Sequence, residues 1–161
     1  MTIETAFIGL GANLGNAAAT IAAAFDALAQ LPQSRLVARS SLYRSQAVDA
    51  DGPDYVNAVA RVDTALSPRQ LLDALLRIES EHGRERPHRN APRTLDLDLL
   101  LHGERAIDEP GLVVPHPRLH LRAFALLPLA EIAPAREVPG HGPVSRLLVA
   151  VAGQRIDRLG R

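Results

Sequence analysis

The sequence has no cysteine, no lysine and no tryptophan, and its aromatic content is 3%. Without cysteine there are no disulfides, thiolate metal ligands or cysteine nucleophiles. Without lysine there is no Schiff-base chemistry and no Walker-type phosphate loop, whose lysine reaches the phosphates. All 18 basic residues are arginine. Any work on phosphate therefore falls to guanidinium forks, which grip it bidentately, and to metal ions. The net charge is +0, which gives no global field for nucleic acid or an anionic membrane. No apolar run is long enough to cross a bilayer, and the first residues lack the basic-then-apolar order of a signal peptide. The expectation is one cytoplasmic domain spanning 1–161, monomeric, with neither nucleic acid nor membrane as partner.

What is present reads as alternating strands and helices. "TAFIGLG" is a strand running into "GANLGN", whose glycines suggest a tight turn before an alanine-rich helix from Ala17 to Gln30. "RLVARSSLYRSQAV" reads as one long strand, and "YVNAVARVDTAL" alternates, with Tyr55, Asn57, Val59 and Arg61 on one face. Ser67, Pro68 and Gln70 spell a capped helix start, followed by a stripe of Leu71, Leu72, Leu75, Leu76 and Ile78. Gly83 supplies its stop. A hairpin is expected at "HGERAI", a stiff segment at "VVPHP", and helices in "RLHLRAFALLPLAEI", starting at Pro117, and "VSRLLVAVA". The first two-thirds thus runs β-α-β-β-α-β, the ferredoxin-like order.

"PRTLDLDLLL", residues 92–101, carries the chemistry. Strand alternation puts Leu95, Leu97, Leu99 and Leu101 on one face, and Thr94, Asp96, Asp98, Leu100 and His102 on the other. The two carboxylates then stand about 6–7 Å apart along the backbone. At an effective dielectric near 20 they repel by about 2–3 kcal/mol. Paired acids can serve as a solvated edge, but a stretch this rich in leucine fits a free edge poorly. A divalent-metal site is the better reading, because Mg²⁺ takes one or two carboxylates plus water and substrate phosphates.

Arg84, Arg86, Arg89 and Arg93 form a basic loop just before this strand. A charge run is often only a solvated face, but beside a metal-competent acid pair it suits a triphosphate. His116 and His120, four apart, could in principle bind zinc, yet a third ligand is lacking, and a phosphate-facing His116 beside Arg122 fits better. Phe124 alone reads as core. Tyr55 and Asn57 share a strand face and could stack on a ring and bond its edge.

Together these stretches resemble the 6-hydroxymethyl-7,8-dihydropterin pyrophosphokinase family of folate biosynthesis over nearly the whole chain. "IGLGANLGN" is similar to its amino-terminal motif and "PDYVNAV" to its pterin-strand motif. "PRTLDLDLLL" and "VPHPRLHLRAFALLPLAEIAP" are similar to its two longer signatures. Ser45-Gln46 stands where members often carry Thr-Pro, and Asn90-Ala91 where many carry a tryptophan. The resemblance implies an α+β fold, a ferredoxin-like βαββαβ core within a three-layer αβα sandwich whose sheet is mostly antiparallel. It implies transfer of the β,γ-pyrophosphoryl group of ATP to the pterin hydroxymethyl oxygen, releasing AMP, with two Mg²⁺ ions.

The same resemblance implies Asp96 and Asp98 as metal ligands, and Asp98, Arg84 and Arg93 as catalytic residues. ATP would meet Glu79, Arg84, Arg86, Arg93, Leu99, His116 and Arg122. The pterin would meet Ser45, Gln46, Val48, Tyr55, Asn57 and Phe124. Two other readings share the topology: a non-catalytic small-molecule-binding domain, and another Mg-dependent enzyme such as a phosphodiesterase. An RNA-recognition module would need aromatic platforms and a basic surface, which this composition lacks.

Overall fold

The computed structural model describes residues 2–13, 16–46, 54–82 and 95–159. Its main sheet is built on β1 (Glu4–Ala12), which pairs antiparallel with β4 (Tyr55–Thr64) on one side and β5 (Asp96–His102) on the other. β2 (Ser34–Arg39) and β3 (Tyr43–Ser45) both lie against β4, and β10 (Ile156–Arg158) pairs with β3. Every described pairing in this sheet is antiparallel.

The single long strand expected over residues 35–48 is divided. Ser40 replaces part of the ladder with its side chain: its Oγ accepts from Val59 N at 2.9 Å and donates to Ser41 O at 2.7 Å. A hydroxyl that bonds its own neighbourhood competes with regular pairing, so the strand breaks there. The segment still follows β4, because Ser40 N also donates to Val59 O.

Helices cover both faces. α1 (Ala17–Ala29) and α2 (Pro68–Glu81) bury Ile21, Phe25, Leu28, Leu71, Leu75 and Ile78 against one face, with Ile8, Leu10, Val62, Leu97 and Leu99. α3 (Ala123–Ile132) and α4 (Val144–Ala150) cover the other, where Leu126, Leu129 and Val144 meet Phe7, Val59, Leu100 and Leu101. This is the three-layer αβα arrangement on a ferredoxin-like core. The capping box of α2 forms as the sequence indicates: Gln70 N donates to Ser67 Oγ and Ser67 N to Gln70 Oε1. Leu76, expected in the apolar stripe, is 45% exposed, because the buried positions are 71, 74, 75, 78 and 79. Gly83, its expected stop, lies outside the described residues.

Two expectations in the second half are corrected. The hairpin forms one step later than "HGERAI", between β6 (Ile107–Glu109) and β7 (Leu112–Val114), with Gly111 at φ +77 in the turn. No helix starts at Pro117. A 3-10 turn spans Leu119–Leu121, and Arg122 then takes an extended backbone (φ −123, ψ 110) before α3 begins. β8 (Glu137–Val138) and β9 (Gly142–Pro143) make a further small hairpin.

Candidate active site

β5 does not alternate to its end. Leu99 pairs with Ile8 and Leu101 with Phe7, so Leu100 is an extra residue in a bulge. Beyond it every side chain changes face. Leu101, expected with Leu95, Leu97 and Leu99, packs instead with Phe7 and Leu100 under α3. His102, expected beside the acids, crosses to the α1/α2 side, where Nε2 bonds Leu66 O at 3.1 Å. The bulge lies after the acid pair, so Asp96 and Asp98 keep regular pairing and share the α3 face, both half-buried.

The outer edge of β5 is sealed, which is why so apolar a strand can stand there. Leu97 N donates to Glu79 Oε2 at 2.7 Å, and Leu100 O accepts from His116 N at 3.0 Å. Edge groups paired in this way cannot recruit a foreign strand.

Gly11, expected in the turn, stands within β1 itself together with Gly9, and Gly15 lies outside the described residues. Gly9 faces Asp98 and Gly11 faces Asp96 on one side, and Val59 and Asn57 on the other. With no side chain at either position, the middle of the sheet becomes the floor of a cleft of about 660 Å³. A Cβ on Gly11 would lie 3.5 Å from Asn57 Oδ1, so that carbonyl looks onto the gap above the glycine. Asn57 is almost fully buried, and its Nδ2 donates to Ser45 Oγ at 2.8 Å, which fixes which way the amide points.

The same cleft is lined by Ser45, Gln46, Tyr55, His116, Arg122 and Phe124. The guanidinium of Arg122 sits 5.2 Å over the Phe124 ring, a cation–π contact that holds both side chains at the start of α3. His116 Nδ1 accepts from Arg118 N at 3.1 Å, which leaves Nε2 to carry the proton. Burial pushes the His116 pKa down; Asp98 pulls it up, and Arg122 and Arg118 push it further down. A neutral imidazole offering one N–H suits a phosphate oxygen without adding charge.

The residues singled out in the sequence therefore divide. Asp96, Asp98, Ser45, Gln46, Tyr55, Asn57, His116, Arg122 and Phe124 come together around one cleft. Glu79 and Leu99 are not among its lining residues: Glu79 is 3% exposed on Leu97 N, and Leu99 is core on the opposite face. Arg84, Arg86, Arg89, Arg93 and Val48 lie outside the described residues. Gly9, Gly11, Arg118, Leu121, Gln154 and Arg155 also line the cleft and were not singled out. The two glycines left a signal in the sequence, since they alternate with the same period as the acids they face. Gln154 and Arg155 left none; they arrive from the far end of the chain.

The donor set fits Mg²⁺. Two carboxylates on one face give hard oxygen ligands, and that ion completes its shell with water and phosphate. Among the described residues no group of three or more His, Cys, Asp or Glu could hold a metal. His120 stacks on His141, with ring centroids 3.9 Å apart. No helix among the described residues is long and apolar enough to cross a membrane.

Comparison with known proteins bears on the family and the fold. A Pseudomonas aeruginosa 2-amino-4-hydroxy-6-hydroxymethyldihydropteridine pyrophosphokinase is 48% identical over 158 residues, covering 98% of each chain. The Haemophilus influenzae protein of the same name is 44% identical, covering 96% of this chain and 98% of its own. A crystal structure of a triple mutant of Plasmodium falciparum HPPK-DHPS superposes with a TM-score of 0.76 over 94% of this chain. It is 14% identical and this chain spans 45% of its length, so that likeness concerns the fold alone. The family model for 7,8-dihydro-6-hydroxymethylpterin-pyrophosphokinase (HPPK) matches residues 7–134, and the chain belongs to that family.

Proposed function

We propose that this chain transfers a pyrophosphoryl group from ATP to the hydroxymethyl oxygen of 6-hydroxymethyl-7,8-dihydropterin in folate synthesis, leaving AMP and the pterin diphosphate. Membership of the family and relatives of nearly equal length support the reaction. One observation carries the assignment of parts. An acid pair and a ring-binding group, Tyr55, Asn57 and Phe124, open onto one cleft with side-chain-free strand between them.

In this reading the pterin ring lies between Tyr55 and Phe124, whose faces suit a flat heterocycle. Asn57 Oδ1 accepts from the ring's amino edge, and Ser45, Gln46 and Val48 complete that edge. Arg122 and the Nε2–H of His116 hold phosphate oxygens, with Arg84, Arg86 and Arg93 joining them. Asp96 and Asp98 hold two Mg²⁺ ions, which when bound neutralise the acid pair and the polyphosphate and polarise phosphoryl oxygens.

The hydroxymethyl oxygen attacks the β-phosphorus, the bond from that phosphorus to the α,β-bridging oxygen breaks, and AMP departs with the electron pair. Asp98 receives the hydroxyl proton. The arginines meet charge as it shifts onto the leaving oxygen, which is where fixed donors count most. The chain acts as a cytoplasmic monomer without nucleic acid.

The test is AMP release from ATP and Mg²⁺ with and without the reduced hydroxymethylpterin. AMP that depends on pterin supports the assignment. Pterin-independent AMP would make this a phosphodiesterase-type enzyme, and binding without AMP a passive domain.

A further inference from the structure

The start of α3 carries two of the residues assigned to substrate, Arg122 and Phe124, yet nothing in its own sequence caps it. Arg122 is the N-cap residue and makes no side-chain capping bond. The first turn of a helix leaves backbone N–H groups without partners, and such ends fray unless a side chain meets them. Here the partner comes from 31 residues further along the chain. Gln154 Oε1 accepts from Ala123 N at 2.9 Å, and Gln154 Nε2 donates to Leu121 O at 2.8 Å.

The two bonded groups flank Arg122. One side-chain amide thus satisfies the carbonyl before this residue and the N–H after it, as a neighbouring β-strand does. This is the geometry that an extended residue between a 3-10 turn and an α-helix requires. Gln154 is itself fixed at both ends: its backbone N donates to Val151 O at 3.0 Å, and two residues on begins β10, paired with β3. β3 in turn carries Ser45, which bonds Asn57. The carboxy-terminal segment therefore ties the ring-edge side of the cleft to the helix start on the other side, and Gln154 lines the cleft while doing so.

We propose that Gln154 is a positioning residue for the transfer reaction, setting the backbone of Arg122 and hence the placement of the Arg122 guanidinium and the Phe124 ring. The inference rests on the assignment of those two residues to substrate. A plain helix cap would add stability alone. A positioning clamp also sets ligand affinity at temperatures where the protein is fully folded, and it needs both bonds.

The experiment compares Gln154→Met, which keeps the shape and removes both bonds, with Gln154→Glu, which can accept from Ala123 N but cannot donate to Leu121 O. Glu131→Gln serves as a stability control at the other end of α3, where Glu131 accepts from Tyr43 Oη and Ser41 N and so carries stability without touching the cleft. Pterin and non-hydrolysable ATP-analogue affinities are measured well below each melting temperature, beside Arg122→Ala and Phe124→Ala.

The expected result is roughly a 5- to 20-fold weakening of at least the pterin affinity in Gln154→Met, the scale of two ordinary hydrogen bonds. Gln154→Glu should recover thermal stability but not affinity. Glu131→Gln should lose stability with affinities unchanged. If Gln154→Met binds both ligands normally while Phe124→Ala and Arg122→Ala do not, the inference is overturned and the site assignment stands. If Gln154→Met weakens binding no more than Glu131→Gln does, the effect is stability and the inference is again overturned. If Arg122→Ala and Phe124→Ala bind normally, the site assignment and the inference fall together.

Discussion

Gly11 stands directly opposite Asp96 in the antiparallel pairing of β1 with β5. On its other side it faces Asn57, so a residue without a side chain separates the acid from the amide in one cross-strand row. The gap is an opening in the sheet surface, and filling it gives a clean test. Gly11→Val should fold at least as well as the parent, since β-branched residues suit strands and glycine weakens them. Pterin affinity should fall by about tenfold or more, because the new methyls occupy the floor beside Asn57 Oδ1. Calorimetric titration with the pterin, paired with a thermal melt, reads both; normal affinity would show that the ring binds elsewhere.

Tyr55 and Phe124 approach the cleft from the sheet and from α3. Truncating either to alanine should weaken pterin binding by about 1–3 kcal/mol, with nucleotide affinity changed little in Tyr55→Ala. Phe124→Ala also removes the surface on which Arg122 rests, so its effect should be the more pH- and salt-independent loss of packing seen alongside some loss of order at Arg122. A larger loss of ATP affinity than of pterin affinity in Tyr55→Ala would place the ring pocket on another wall.

Much of this was legible in the sequence and some was not, for identifiable reasons. The α2 start was written in Ser67, Pro68 and Gln70 because capping is a local matter, settled by side chains three apart. The acid pair was legible because alternation holds through Asp98. It failed at Leu101 and His102 because a bulge is decided by the partner strand and by the core on each face, neither of which is visible in "LDLLLH". Gly11 reads in the sequence as the start of a turn, since glycine punctuates turns more often than it floors a cleft. The helix expected from Pro117 is delayed to Ala123 because a glutamine from the chain's other end meets the backbone on both sides of Arg122.

His102 supplies a pH dependence. It is wholly buried, its Nε2–H is given to Leu66 O, Nδ1 faces Glu4 Oε2 at 3.4 Å, and Arg105 lies beyond Glu4. Burial pushes its pKa below the ordinary 6.5, while the Leu66 bond and Glu4 pull the other way. The unfolded chain then binds a proton that the folded chain refuses. Stability from this group is full above about pH 6.5 and is lost as pH falls through the folded value, at up to about 1.4 kcal/mol per pH unit. His116 and His120, also pushed down by burial, act in the same direction. Denaturant melts at pH 7.5 and 5.5 should show a smaller acid loss for His102→Gln than for the parent. An unchanged difference would mean that His102 is already charged when folded.

The central claim is that Asp96 and Asp98 are one cation-holding unit and not a solvated face. Without Mg²⁺, Asp98→Ala should keep the fold and melt no lower than the parent, because the leucine face on the α1/α2 side is untouched and one of two neighbouring like charges is gone. Pterin affinity should survive, since Tyr55, Asn57 and Phe124 remain. The decisive measurement is turnover of Asp96→Ala, Asp98→Ala and the double variant at one fixed Mg²⁺ concentration. The account predicts a loss of several orders of magnitude in each single variant and little further loss in the double, as expected for residues acting together. Near-normal turnover in either single variant would contradict it and return the pair to the protein surface.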